Sequence, residues 1–169
     1  MFTRIDFSNL TLMDALDLAS LIEFEAFKRY VLFAEQLGHR DPSDAASVFR
    51  SMAGNEKKHG EQLAQRRLAL FGNVTPKVKL DDLFDVEAPD VGLPRWNMSP
   101  LKAFQVALAS EKKAYAFYDG ALASMKQPDI KALFEELRDE EAEHIHMVEA
   151  SIVKLPPEAA IDLEDVDAD

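Results

Sequence analysis

The chain contains no cysteine. That excludes disulfides, thiolate metal sites, cysteine nucleophiles and any module that holds iron through four thiolates. It also agrees with a reducing compartment. Long apolar runs are missing as well: none reaches the roughly 20 residues that a bilayer-spanning helix needs. The stretch from Met1 to Leu12 carries Arg4 and Asp6 and lacks the apolar core of a secretory signal. Together these absences predict a soluble, cytoplasmic protein with no membrane partner. Positive charge is scarce, with 19 Lys and Arg against 31 Asp and Glu and a formal net charge of −12. Such a surface repels nucleic acid and anionic lipid and attracts cations.

At 169 residues the chain is long enough for one domain with a substantial core. Four segments read as long amphipathic helices. The first is expected from Leu12 to Leu37, with Thr11 as its cap and Gly38 as its stop. The second is expected from Pro42 to Phe71, capped by Asp41 and ended by Gly72. The third begins after Ser99 with Pro100 and continues to about Met125. The fourth begins near Pro128 and ends before Pro156-Pro157, which cannot continue a helix.

Short connections make helices one and two a hairpin, and likewise three and four. Between the hairpins, residues 73–98 carry Pro76, Pro89, Gly92 and Pro94. This stretch is long enough to run the length of a bundle, and Trp96 is expected to anchor it. The reading is therefore an all-α four-helix bundle over about 12–155, with a crossover at about 73–98. An acidic tail at about 157–169 follows, expected to fray from Ile161 onward.

The hairpins repeat one another. Glu23 is followed by Phe27 at +4 and Tyr30 at +7, and Glu111 by Tyr115 at +4 and Tyr118 at +7. The second helix carries Met52, Glu56, His59 and Leu63, and the fourth carries Leu137, Glu141, His144 and Val148. Steps of four, three and four keep each quartet on one helical face. Glu56, His59, Glu141 and His144 thus interrupt apolar seams where further leucines would suit a core. Burying carboxylates without partners costs several kcal/mol each, so a compensating positive charge is required. Four ionised Glu and two neutral His bring four negative charges, which two divalent cations balance. Carboxylates suit hard cations, and imidazole shifts the preference from magnesium and calcium towards iron, manganese or zinc. The candidate ligands are Glu23, Glu56, His59, Glu111, Glu141 and His144, around two iron ions with manganese or zinc as alternatives.

A lone Glu-x-x-His on a helix is usually a solvated pair. Its duplication, each copy inside an apolar seam and each preceded by a Glu about 30 residues upstream, carries the assignment here. Glu25, Glu140 and Glu143 fall off the seam and read as surface residues, and neither His39 nor His146 is chosen as a ligand. Tyr30 and Tyr118 read as core side chains whose hydroxyls can reach a ligand carboxylate.

These residues resemble the ferritin-like superfamily, in whose di-iron bundles inward Glu and Glu-x-x-His side chains hold the metals. Within it, the run from Glu23 to Tyr30, Glu56-Lys57-Lys58-His59, Glu111 and Glu140-Glu141-Ala142-Glu143-His144 are similar to rubrerythrins and their erythrin-like relatives. The resemblance covers about Leu12 to Leu155. It implies a ferritin-like bundle, the same six ligands, and Glu56 and Glu141 as the bridging pair. Two departures stand out. Rubrerythrins carry a further glutamate three residues after the third-helix ligand, where this chain has Ala114. The rubredoxin domain of the classical rubrerythrin is also absent, so electrons would come from a separate donor.

The expected function is a di-iron oxidoreductase that uses O2 or H2O2, as a peroxidase or ferroxidase. The alternative is an iron-binding, storage or delivery protein without turnover. A metal-free structural bundle would have to tolerate the buried charge. Leu32, Phe33 and Phe49 are expected on the outer face, which together with the prevalence of twofold assemblies suggests a homodimer.

Overall fold

The computed structural model describes residues 6–38, 45–79 and 98–160. Four helices run in order: α1 Leu12–Leu37, α2 Ala45–Phe71, α3 Pro100–Leu122 and α4 Pro128–Lys154. Short 3-10 turns at Phe7–Asn9 and Pro157–Ala160 flank them. The expected Asp41 cap, the start at Pro42, His39, most of the crossover with Trp96, and the tail from Ile161 lie outside the described residues. Among the described residues, no helix is long and apolar enough to cross a membrane.

The helix ends follow from local chemistry. Thr11 Oγ1 accepts the Asp14 amide at 3.1 Å, satisfying one free N–H of the first turn, and Asp14 adds negative charge at the positive end of α1. Ser99 Oγ accepts the Lys102 amide at 3.3 Å, and Pro100 occupies the first turn of α3, where its missing N–H costs nothing. Gly72 ends α2 with φ +65°, a left-handed conformation that glycine adopts without strain.

Gly38 differs from this expectation, because its φ of −61° is right-handed. The need for glycine there is steric: an added Cβ would lie 2.8 Å from Ala34 O and 3.0 Å from Arg50 Nη2. Helix α3 stops at Leu122, short of Met125. The Ser124 and Met125 amides instead reach back three residues, to Ala121 O at 3.0 Å and Leu122 O at 3.3 Å, which tightens the chain out of the α-helix. Residues 157–160 also depart from the expected tail, since they form a turn against α3 with Ala159 buried.

Apolar residues assemble into two separate clusters. One joins Leu16, Leu18 and Ile22 of α1, Leu63 of α2, Phe117 and Tyr118 of α3, and Leu133, Phe134 and Leu137 of α4. The other joins Tyr30, Phe33 and Leu37 of α1, Phe49 and Met52 of α2, Phe104 of α3 and Val148 of α4. The N-terminal half of α1 therefore shares one end of the bundle with the C-terminal halves of α2 and α3. It follows that α2 and α3 run the same way, opposite to α1. So α2 finishes at the end of the bundle opposite to the start of α3. A helix of 27 residues such as α2 is about 40 Å long.

Phe33 and Phe49, expected on the outer face, are core residues at 1% and 0% exposure. Phe49 stacks between Tyr30 and Phe104, with the Phe49–Phe104 centroids 4.7 Å apart, and Phe33 packs against Phe49 at a tilt. Of the three residues expected outward, only Leu32 is exposed.

Polar contacts fix the helices at defined levels. Arg67 is buried on α2, and its guanidinium forms a fork on Asp17 of α1 through contacts of 2.8 and 3.2 Å. The same group donates to Gly72 O at 2.8 Å and Val74 O at 2.6 Å, so it also binds the chain as it leaves α2. Arg29 of α1 donates to Ser110 Oγ of α3 at 2.6 Å, next to Glu111.

Candidate metal centre

A polar layer separates the two apolar clusters. In α1, Glu23 lies between Ile22 of one cluster and Ala26 of the other. In α2, Glu56 and His59 lie between Ala53 and Leu63; in α3, Glu111 lies between Ala107 and Ala114; in α4, Glu141 and His144 lie between Leu137 and Val148. Every helix is thus apolar at both levels and ionisable in the middle. Glu23, Glu56, Glu111, Glu141 and His144 are all at most 5% exposed, and the His59 side chain retains 18%.

The donor atoms converge. His144 Nδ1 lies 3.0 Å from Glu56 Oε1, 3.4 Å from Glu111 Oε2 and 3.8 Å from Glu141 Oε2. His59 Nδ1 lies 3.8 Å from Glu23 Oε2. The two imidazoles are nearly parallel, with centroids 5.8 Å apart. Two overlapping groups have donor atoms all within 4.8 Å of one another: Glu56, His59 and His144, and Glu111, Glu141 and His144. All six expected residues are therefore in one layer. Five fall in these compact groups, and Glu23 reaches them through His59.

Burial and charge set the protonation of these groups. Burial, followed by the Glu111 carboxylate, holds the Glu141 carboxyl well above its ordinary range. For His144, burial lowers the pKa, but Glu111, Glu141 and Glu56 outweigh it, so the imidazole is held far above its usual value. A proton on His144 answers part of the demand for positive charge. His59 goes the other way, because burial lowers it and only then does Glu56 oppose the shift. A neutral imidazole has a lone pair to offer a cation.

Three buried atoms of this layer that could ligate a cation, Glu56 Oε1, His59 Nδ1 and His144 Nδ1, have no hydrogen bond among the described residues. The 3.0 Å contact between Glu56 and His144 is short enough for one but has the wrong direction. A buried polar group without a partner costs about 1–3 kcal/mol, and here three such atoms point into one space. Hard oxygens and imidazole nitrogens around that space fit a divalent transition-metal ion. The cluster could hold metal.

Comparison with known proteins agrees with this geometry. A protein-family model described as Rubrerythrin matches residues 14–152. The chain belongs to the rubrerythrin family. A crystal structure of an uncharacterized conserved protein from Magnetospirillum magnetotacticum MS-1 shares the fold with a TM-score of 0.74 and 33% identity, covering 87% of this chain and 97% of that one. No functionally curated protein matches the chain. In this rubrerythrin-family bundle the ionisable residues sit at mid-height, between the two apolar ends.

Two residues of the site region escape a reading of the seam alone. Glu140, expected at the surface, is half-buried, and its Oε2 lies 3.6 Å from His59 Nδ1. It precedes Glu141 by one residue, a rotation of about 100° on a helix, and that flank of α4 lies partly against α2. Burial, then the Glu136 charge, pushes its pKa up to about 7. Arg67 is the other, although it falls four residues after Leu63 on the same face, where an isolated charge signals a buried partner. Glu143 and His146 are exposed, while Glu25 pairs with Lys28 at 2.5 Å.

Tyr30 is fully buried against Phe49, and its hydroxyl makes no hydrogen bond among the described residues. Tyr118 packs edge-on against Phe134, with centroids 5.3 Å apart.

Proposed function

We propose that this chain is a two-metal oxidoreductase with iron as its resident metal and O2 or H2O2 as its small substrate. The observation that supports the reading best is the interrupted core, in which unpartnered donor atoms from α2 and α4 meet carboxylates from α1 and α3. Glu23, Glu56, His59, Glu111, Glu141 and His144 would hold the ions. When bound, a pair of redox-active ions supplies two-electron chemistry towards a small oxidant.

The chain's own residues provide the setting. Four carboxylates neutralise the charge of two divalent ions, and His59 is already neutral and ready to donate. The apolar clusters above and below keep water from the layer, which strengthens the electrostatic hold on the ions. His59 and Glu140 are the members of the layer open to solvent, so a small oxidant has its approach there. With no thiolate-bound iron in the chain, electrons would come from a separate protein or small reductant.

Element analysis of protein purified without added metal tests the reading, with about two iron ions per chain expected. Glu56→Ala and Glu141→Ala should each lose metal, and retention by both would refute the ligand set. Anaerobic ferrous protein mixed with O2 or H2O2 then separates the activities. Accumulating ferric iron identifies a ferroxidase, and resetting by an added donor identifies a peroxidase. Bound iron that reacts with neither oxidant identifies a binding or delivery protein.

A further inference from the structure

The two hairpins repeat one another, yet a polar contact stands on one side of the layer where its counterparts are apolar. In the register that aligns Glu23 with Glu111 and Tyr30 with Tyr118, Arg29 of α1 corresponds to Phe117 of α3. In the same register Ser110 of α3 corresponds to Ile22 of α1. Ile22 and Phe117 are both buried in one apolar cluster. Arg29 and Ser110 bond instead, with Arg29 Nη1 donating to Ser110 Oγ at 2.6 Å.

Packing alone does not call for this exchange. Ser110 is 3% exposed, and a helical serine can satisfy itself on the carbonyl four residues back, as Ser151 does on Met147 O at 2.8 Å. Drawing a guanidinium in from solvent is costly, and Arg29 is half-buried. What the contact achieves lies beside the layer. Arg29 is six residues beyond Glu23, about 9 Å along the axis, and helical side chains lean towards the N-terminus of their helix. The arginine therefore reaches back towards the layer, where it bonds the residue immediately before Glu111. A short bond from a charged donor is the stronger kind, so it can hold that turn of α3 at one level and one rotation. Glu111 Oε2 lies 3.4 Å from His144 Nδ1, and Glu111 forms a compact donor group with Glu141 and His144.

We infer that Arg29 is a positioning residue of the metal centre. Through Ser110 it fixes the turn of α3 that carries Glu111, and so sets the geometry of the ion held by Glu111, Glu141 and His144. This rests on the two-metal reading above. The ion nearer Glu23 and His59 has no such tie in the repeat, because the counterpart pair is Phe117 and Ile22. The two positions therefore differ in what orients their ligands.

The test uses full-length apoprotein titrated with Co2+ under anaerobic conditions, followed by calorimetry and by the visible bands of the bound ion. Wild type should take up two ions. Arg29→Met and Ser110→Ala should each take up two, with one step weakened about ten-fold or more, as for loss of a group that orients a ligand, and with the bands of that ion shifted. The double variant should bind no more weakly than the worse single one, because both changes remove the same bond. Arg29→Lys, which keeps a charged N–H, should recover part of the loss. Asp17→Asn breaks a different arginine contact of α1, to Arg67, and should lower stability in urea while leaving both steps and the bands unchanged. If Arg29→Met and Ser110→Ala behave like Asp17→Asn, or weaken both steps equally, Arg29 does not position Glu111 and the two-metal reading stands. Should Arg29→Met fail to fold, Ser110→Ala decides alone. If wild type fails to bind two ions, both readings fall.

Discussion

Replacing Glu141 by glutamine should have opposite effects on stability with and without metal. Glutamine has the size of glutamate and no charge at any pH. Glu141 is 5% exposed, and its carboxyl is raised by burial first and by the Glu111 charge second. A carboxylate held above its unfolded value contributes stability only while protonated. That contribution is complete below about pH 4.5, the unfolded value, and is lost as pH rises towards the folded value. At pH 8 with chelator present, wild type therefore carries a penalty that Glu141→Gln lacks. Exchanging a poorly compensated buried charge for a neutral group gains about 1–3 kcal/mol. Taking about 2 kcal/mol, Tm should rise by about 4–8 °C for a domain of this size.

Metal reverses the order. Free ion at 100 times its dissociation constant adds about 2.7 kcal/mol per site to a protein that binds it only when folded. Wild type collects that gain, while the variant has lost a ligand. Calorimetric melts of both proteins, with chelator and with excess Mn2+, between pH 4.5 and 8, would show the crossing. The advantage of the variant should shrink towards pH 4.5. A chelated variant that melts at or below wild type at pH 8, or an advantage that does not change with pH, would refute the account of the layer as uncompensated charge.

Two further expectations concern other parts of the molecule. Because Glu141 and His144 are both held above their ordinary ranges, ion uptake must displace protons from them. Affinity should climb from pH 6 to pH 8, and a weakly buffered sample with an indicator dye should acidify as Mn2+ is added; uptake without proton release would contradict the assigned protonation. Asp17→Asn leaves the buried Arg67 charge without its fork partner, which should cost about 3–5 kcal/mol in urea unfolding. The number of ions bound should stay the same, and a loss of metal instead of stability would mean that the pair belongs to the site.

Much of this architecture is legible in the sequence because the chemistry recurs with helical spacing. Glu56 and His59 sit three apart inside a seam that Met52 and Leu63 define, and Glu141 and His144 repeat the pattern. Thr11 and Ser99 cap helices through their hydroxyls, and Gly72 ends α2 through its left-handed backbone, as the sequence predicts. Other features depend on what faces a helix, which spacing alone does not reveal. Glu140 is one step from the seam, and only the approach of α2 turns that step inward. Phe33 and Phe49 read as outward because the buried stripe of α1 and α2 is wider than the ligand seam. Its extent is set by contact with Phe104 across the bundle. Gly38 meets the pattern of a helix stop for a different reason, crowding by Ala34 O and the Arg50 side chain.

The division of the core into two clusters has a consequence for how the protein can vary. Side-chain volume exchanged among Leu16, Phe117 and Phe134 is absorbed at one end, and volume exchanged among Tyr30, Phe49 and Phe104 at the other. Changes that share no partners combine almost independently. Each end can drift in shape while the ionisable belt keeps its spacing, so the belt is free to stay constant across relatives whose ends have diverged.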